Sequence, residues 1–191
     1  MTESTPSNFV LASLTLADRE RVDEVARMML ESFTALAPTW LPTLDAARES
    51  VVGCLEPDML SRVLVVGDRA AGWVGARHDY GSVWELHPLV VGEAFRGHGY
   101  GRILVRDIEA LAAARGGLTM VLSTSDETGS TSLSNRDLFV DPLGALGTIS
   151  FAEWHPLGFW QAVGYTVVGV VPDAEGLDKP SILLAKRLRA R

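Results

Sequence analysis

From Leu89 to Val105 the chain joins an apolar strand to a helix through a turn that carries Arg96 and three glycines, Gly97, Gly99 and Gly101. Such a junction constrains the fold more than any other stretch. Strand and helix must pack side by side, and the turn between them presents a run of backbone N–H groups at the positive end of the helix dipole. Glycines let an anion come close to those amides, so the turn suits a pyrophosphate. The spacing G-x-G-x-G misses the dinucleotide pattern G-x-G-x-x-G by one residue, and no G-K-[ST] follows as a P-loop requires. A tight strand-to-helix turn with incidental glycines is the other reading, and the preceding strand bears on the choice.

That strand, Ser82 to Val91, is rich in β-branched and aromatic residues. Strict alternation puts Glu85, His87 and Leu89 on one side. Two ionisable groups on a mostly apolar strand either satisfy each other in the core or line a cavity, where a carboxylate beside an imidazole can move a proton near neutral pH. Pro88 cannot donate to a sheet ladder, so pairing is expected to fail or bulge there and to open a gap.

The 191 residues suit one domain, residues 1–191, with residues 1–10 expected to be flexible. A composition of 47% hydrophobic and 21% charged residues is that of a folded soluble protein. The lone Cys54 excludes an internal disulfide, fits a reducing cytoplasm, and reads as an inert core thiol among Val51, Val52 and Leu55. The stretch Met1 to Asn8 has neither the basic start nor the apolar centre of a signal peptide, and no apolar run reaches membrane-spanning length, so no membrane association is expected. A net charge of −7 argues against nucleic acid and favours a cationic small molecule. No metal-ligand pattern is found.

Apolar spacing at Val22, Val25, Met29 and Phe33 predicts a helix over Asp18 to Phe33, capped by Asp18, and Thr43 can cap a second over Leu44 to Leu55. Ala37 to Pro42 reads as a loop whose Trp40 packs onto the core. Strands are expected at Arg62 to Val66 and Gly72 to Asp79, joined by Gly67-Asp68-Arg69, and after Ser82–Val91 at Leu118 to Thr124, Tyr165 to Val171 and Pro180 to Lys186. The helix after the glycine turn runs to Arg115 and stops at Gly116-Gly117, and another covers His155 to Val163. Helices therefore alternate with strands around a mixed sheet, an α/β (α+β) class.

The Arg96-x-x-Gly99-x-Gly101 pattern resembles the acyl-CoA pyrophosphate loop of the GNAT superfamily of N-acetyltransferases. Longer strings are similar to the aminoglycoside 6'-N-acetyltransferases within it: Trp84 to Val91, Arg115 to Thr119, Thr131 to Ser134, Asp137 to Phe139, His155-Pro156, and Gly169 to Ala174 with Lys179-Pro180. The resemblance covers roughly residues 72 to 188 by a motif standard. It implies a GNAT fold, a mixed twisted sheet splayed at its central strand and flanked by helices, with acetyl-CoA as co-substrate and the 6'-amine of an aminoglycoside as acceptor. Dimerisation is common among such proteins, so a homodimer is expected by resemblance alone.

The resemblance also assigns roles. Glu85 would be an anionic anchor and His87 the proton acceptor, with both near the acceptor amine. Leu89 would offer an N–H to the developing oxyanion, and Leu89, Val90 and Val91 would run beside the pantetheine arm. Arg96, Gly97, His98, Gly99, Tyr100 and Gly101 would hold the pyrophosphate. Asp126, Glu127 and Trp40 would contact the cationic acceptor. Three positions depart from the family pattern: Ser125 and Ser181 stand where acids are usual, and Trp160 stands where a tyrosine usually protonates the leaving thiolate. An indole N–H is no acid at neutral pH, so Trp160 would pack on the CoA arm instead. The sequence leaves two other readings open, a GNAT enzyme for another small or peptide amine and a non-catalytic acyl-CoA-binding module.

Overall fold

The computed structural model describes residues 8–35, 37 and 40–189. The expectations for Met1 to Ser7 and for Pro38 and Thr39 in the Ala37–Pro42 loop lie outside the described residues. The elements are β1 (Phe9–Ser13), α1 (Arg19–Phe33), α2 (Leu44–Gly53), β2 (Leu60–Val66), β3 (Arg69–Tyr80), β4 (Val83–Val91), α3 (Tyr100–Ala114), β5 (Thr119–Ser125), α4 (Pro142–Gly147), α5 (Pro156–Ala162), β6 (Thr166–Val171) and β7 (Ser181–Arg187).

Seven strands form one sheet in the order β1-β2-β3-β4-β5-β7-β6, antiparallel throughout except for the β4/β5 pair. Those two run parallel because α3 carries the chain back across the sheet between them. Each face buries its own core. On one side α1 and α2 cover Val63, Trp73 and Val90 with Val25, Met29 and Val51. On the other, α3 and α5 cover Leu64, Val74, Leu86 and Met120 with Leu104, Ile108 and Leu157. The fully buried Trp73 sends its indole N–H to the Ser61 hydroxyl at 2.8 Å, so no donor is stranded in the core.

Several local expectations change. Asp18 does not cap α1, because its Oδ2 accepts instead from the Thr15 hydroxyl at 2.8 Å and the Thr15 N–H at 3.3 Å. Thr43 does cap α2, accepting from the Ala46 N–H at 3.2 Å. His155 lies outside α5, capping it through Nδ1, which accepts from the Leu157 N–H at 3.1 Å. Phe9 and Val10, expected to be flexible, pair with Val66 and Val65 as part of β1, an edge strand absent from the sequence reading. The six-residue α4, capped by Asp141 on the Gly144 N–H at 2.9 Å, was too short to show a period.

The decisive irregularity is between β3 and β4. Val74 pairs with Leu89 and Ala76 with Leu86, so two residues, His87 and Pro88, oppose the single Gly75. This extra residue moves the faces out of phase. Leu86 and Leu89, three apart, both pack toward the α3 side, and strict alternation of Glu85, His87 and Leu89 therefore fails at Leu89. Gly75 is the residue that lets the bulge close, since a Cβ there would stand 2.7 Å from the His87 carbonyl oxygen. Gly75→Ala is expected to destabilise the fold by about 1–3 kcal/mol through that clash. Thermal unfolding should show a melting point lower by roughly 2–10 °C for a chain of this size.

Candidate active site

Strands β4 and β5 pair only at Val83–Thr119, Trp84–Met120 and Glu85–Val121, after which they part. The gap holds a cleft of roughly 1270 Å³ walled by the second halves of both strands, the glycine turn, the start of α3, α5 and Trp40. Its β4 wall is polar by backbone phase. The Gly92 N–H donates to the Ala71 carbonyl at 3.0 Å, which makes Gly72/Val91 a non-hydrogen-bonded pair of the antiparallel ladder and Trp73/Val90 the bonded one. Leu89 and Val91 therefore turn their N–H and C=O groups away from β3, toward the side that β5 has left. Val90 also borders the cleft, although its side chain is buried in the α1/α2 core and its peptide pairs with Trp73.

The glycine turn closes one end. Gly97 and Gly99 both have φ of +79°, a conformation that side chains disfavour, and Gly99 flanks the first turn of α3. The residues of that turn line the cleft, and the first N–H groups of a helix have no partner within the helix. Gly101 keeps the wall open, since a Cβ there would lie 3.2 Å from the Phe159 ring. Arg96 bridges two elements, donating from Nε to the Val91 carbonyl at 3.2 Å and from Nη2 to the Ser32 hydroxyl at 3.1 Å. The His98 Nδ1 lies 2.8 Å from the Arg96 carbonyl and its ring stacks on Tyr100, fixing the curl of the turn. Tyr100 itself is buried against Phe9 and Phe95, so only its backbone can meet a ligand.

His87 faces the cleft beside Trp40, with ring centroids 5.2 Å apart, and Trp40 also meets Phe33 edge-on at 4.8 Å. Trp40 thus packs on Phe33 of α1 and also lines the cleft. His87 is exposed on β4 and open to the cleft. Desolvation by the surrounding walls holds its pKa below the usual histidine value, the Glu85 carboxylate opposing and the Arg77 guanidinium assisting. His87 is therefore neutral at pH 7 and able to take a proton. Glu85 is not part of the cleft wall. Arg77 grips its Oε2 from Nη2 at 2.5 Å and from Nε at 2.6 Å, so it is a half-buried ion pair rather than a free anchor. Cys54, also nearby, offers its Sγ to the His87 carbonyl at 3.6 Å, and burial pushes its pKa up to about 11, as suits an inert thiol.

Asp126 corrects a further expectation. It is fully buried, and its carboxylate accepts from the Ser130 and Thr131 N–H groups and from the Ser130, Thr131 and Ser134 hydroxyls at 2.5–2.9 Å. Burial alone would raise its pKa, but those hydrogen bonds together hold it below the ordinary aspartate range. It organises its loop and does not reach the cleft. Glu127, the next residue, does line the cleft, and so does Glu175, which sequence reasoning passed over. Burial, and then the neighbouring Glu127 charge, pushes the Glu175 carboxyl above its usual range. Only its place just after the Pro172-Asp173-Ala174 string could have marked it. Trp160 is nearly buried, edge-on to both Phe159 and Tyr165, and forms part of the cleft wall. Ser125 and Ser181 sit directly opposite each other across β5 and β7.

The β4/β5 pair thus splays beside the glycine turn, with the Leu89 and Val91 N–H groups turned into the gap. The profile of the acetyltransferase (GNAT) family matches residues 22–144, and the chain belongs to that family. It is an acetyltransferase that uses acetyl-CoA. The chain is similar to an aminoglycoside 6'-N-acetyltransferase solved in complex with coenzyme A, at 31% identity and a TM-score of 0.87 over 95% of this chain and 98% of that one. It is likewise similar to the aminoglycoside 6'-N-acetyltransferase from Enterococcus faecium, at 32% identity and a TM-score of 0.84 over 95% and 98%. Comparison with curated protein sequences gave no match. Among the described residues no helix is long and apolar enough to cross a membrane.

Two measurements follow from these environments. The His87 ring-proton resonance should titrate below the usual histidine value; Arg77→Gln, which removes a cation and frees the Glu85 charge, should move it up, and Glu85→Gln should move it down. Asp126→Asn should cost about 2–4 kcal/mol of stability at neutral pH, read by denaturant unfolding. Because the folded-state pKa of Asp126 is depressed, its contribution is complete above the ordinary aspartate value and is lost as pH falls through the folded value. The variant should therefore lose less stability than wild type on acidification.

Proposed function

We propose that the protein transfers acetyl from acetyl-CoA to the 6'-amine of aminoglycoside antibiotics by direct attack of the amine. What carries this reading is the pairing of opposite demands in one cleft. One end offers backbone amides and an arginine to an anionic pyrophosphate, and the other lines the cleft with the carboxylates of Glu127 and Glu175, which a bound ammonium would complement. The similarity to two aminoglycoside 6'-N-acetyltransferases over nearly the whole chain supports it.

Acetyl-CoA supplies an acyl carbon already activated as a thioester, so nitrogen attack forms the amide and releases the CoA thiol. The glycine turn, Arg96 and the first amides of α3 hold the pyrophosphate. The peptide of Val91 pairs with the pantetheine arm as an added strand would. The Leu89 N–H, turned into the gap, meets the thioester oxygen as negative charge builds on it. His87, neutral at pH 7, takes the proton of the amine, directly or through water. Glu85, held by Arg77, tunes His87 rather than touching the acceptor. Trp160 and Phe159 pack along the arm, and the thiolate takes its proton from water or from the cationic nitrogen of the tetrahedral intermediate as the C–S bond breaks. Much of the rate comes from holding amine and thioester together, so a modest base suffices.

One observation favours a second reading, an enzyme for a less highly charged amine. Ser125 lines the cleft where the family usually carries an acid, with the buried Ser181 opposite it on β7, so that wall offers a hydroxyl in place of a carboxylate. A homodimer, which rests on resemblance, and a cytoplasmic setting, which rests on the lone Cys54, complete the proposal.

Release of free thiol from acetyl-CoA with a panel of amines separates these readings. Turnover on kanamycin but not on its 6'-hydroxyl analogue, lowered about 10²-fold or more in His87→Ala, is the expected result. Glu175→Gln should raise KM for kanamycin about tenfold with little change for a monoamine. Turnover only on simple amines would move the assignment to the second reading, and CoA binding without any turnover would leave a binding module. Trp160→Tyr should change turnover by less than about tenfold if water protonates the thiolate.

A further inference from the structure

Beside the mouth of the main cleft lies a smaller concavity of roughly 310 Å³ lined by Arg102, Arg106 and Lys186, with Val163 and Gly164 at the end of α5. Arg102 and Arg106 are one helical turn apart on α3 and belong to the walls of both spaces, so the small chamber opens beside the large one. The three cations are not equivalent. The Lys186 Nζ is held by both Glu109 oxygens, at 2.6 and 2.9 Å, and by the Val163 carbonyl at 2.8 Å. Arg102 gives one N–H to the Ala162 carbonyl at 2.9 Å, which fixes the guanidinium against α5 and leaves its remaining donors unused among the described residues. Arg106, exposed on the same face of α3, makes no hydrogen bond or ion pair among the described residues. Glu109 offsets only one of the three charges, so the chamber carries two uncompensated guanidinium groups.

We propose that this chamber binds the 3'-phosphate of the acyl-CoA, with Arg106 as its principal ligand and Arg102 as its second, and that it makes the enzyme discriminate CoA from 3'-dephospho-CoA. The inference rests on the reading of the main cleft as the acetyl-CoA site. The pyrophosphate turn ends at Gly101, and Arg106 stands five residues further along α3, on the order of 8 Å along the axis. A CoA molecule whose pyrophosphate lies on that turn carries its remaining phosphate one ribose away. Arginine suits this task better than lysine, because its planar fork meets two phosphate oxygens at once. Lys186, already neutralised by Glu109, shapes the floor of the chamber rather than supplying charge.

The test is calorimetric binding of CoA and of 3'-dephospho-CoA to the whole protein, wild type against Arg106→Gln and Arg106→Lys. Both substitutions are on an exposed helix face and should leave the melting point within the wild-type range. Wild type is expected to bind CoA about tenfold or more tightly than the dephospho form. Arg106→Gln should weaken CoA binding to near that of the dephospho form while leaving the dephospho affinity unchanged, and Arg106→Lys should recover part of the difference. Equal wild-type affinity for the two ligands would overturn the proposal. So would an equal loss for both in Arg106→Gln, which would mark Arg106 as a general source of field. If neither ligand bound wild type, the assignment of the main cleft itself would fall, an outcome distinct from loss of discrimination.

Discussion

Strand β4 must satisfy two opposed requirements: it pairs closely with β3 along one edge, and along the other it leaves β5 after three residue pairs. The bulge at His87 and Pro88 opposite Gly75 reconciles them. By inserting one residue it turns His87 to the α1/α2 side while Leu89 and Val91 pack toward α3, and it sets the ladder phase so that the Leu89 and Val91 peptides face the gap. A regular strand would put these groups in register with a neighbour and close the cleft.

Around that opening the two faces of the sheet divide the labour. The α3 face supplies the turn, the helix start and the aromatic wall of Phe159 and Trp160, all suited to a long anionic ligand. The α1/α2 face supplies Trp40 and the electrostatic setting of His87, with Arg77 and Glu85 balanced against each other beneath it. Arg96 ties the two sides, since its guanidinium bonds both the end of β4 and Ser32 near the end of α1.

The parts legible in the sequence were those whose chemistry is local. The glycine turn, most strands, the Thr43 cap and the break near Pro88 each depend on a few adjacent residues. The parts that were not legible depend on long-range partners. Strict alternation put Glu85 and Leu89 together because nothing in β4 alone reveals that Gly75 is a single residue facing two. Asp126 and Glu127 read alike as neighbouring acids; only the fold shows that five donors from Ser130, Thr131 and Ser134 consume the first and leave the second on the cleft wall. Glu85 looked available because its partner Arg77 lies on a different strand. Glu175 escaped notice because its neighbour in the site, Glu127, is far away in the chain.

The facing serines of β5 and β7 constrain how this acceptor wall could change over generations. A single aspartate at position 125 or 181 would find a hydroxyl opposite it, a neighbour that can donate a hydrogen bond. Aspartates at both would place like charges directly across the ladder, a repulsion that only a bound cation relieves. The first such substitution therefore meets a complementary neighbour and the second a like charge, so the two steps are energetically unequal although the positions face each other across one ladder.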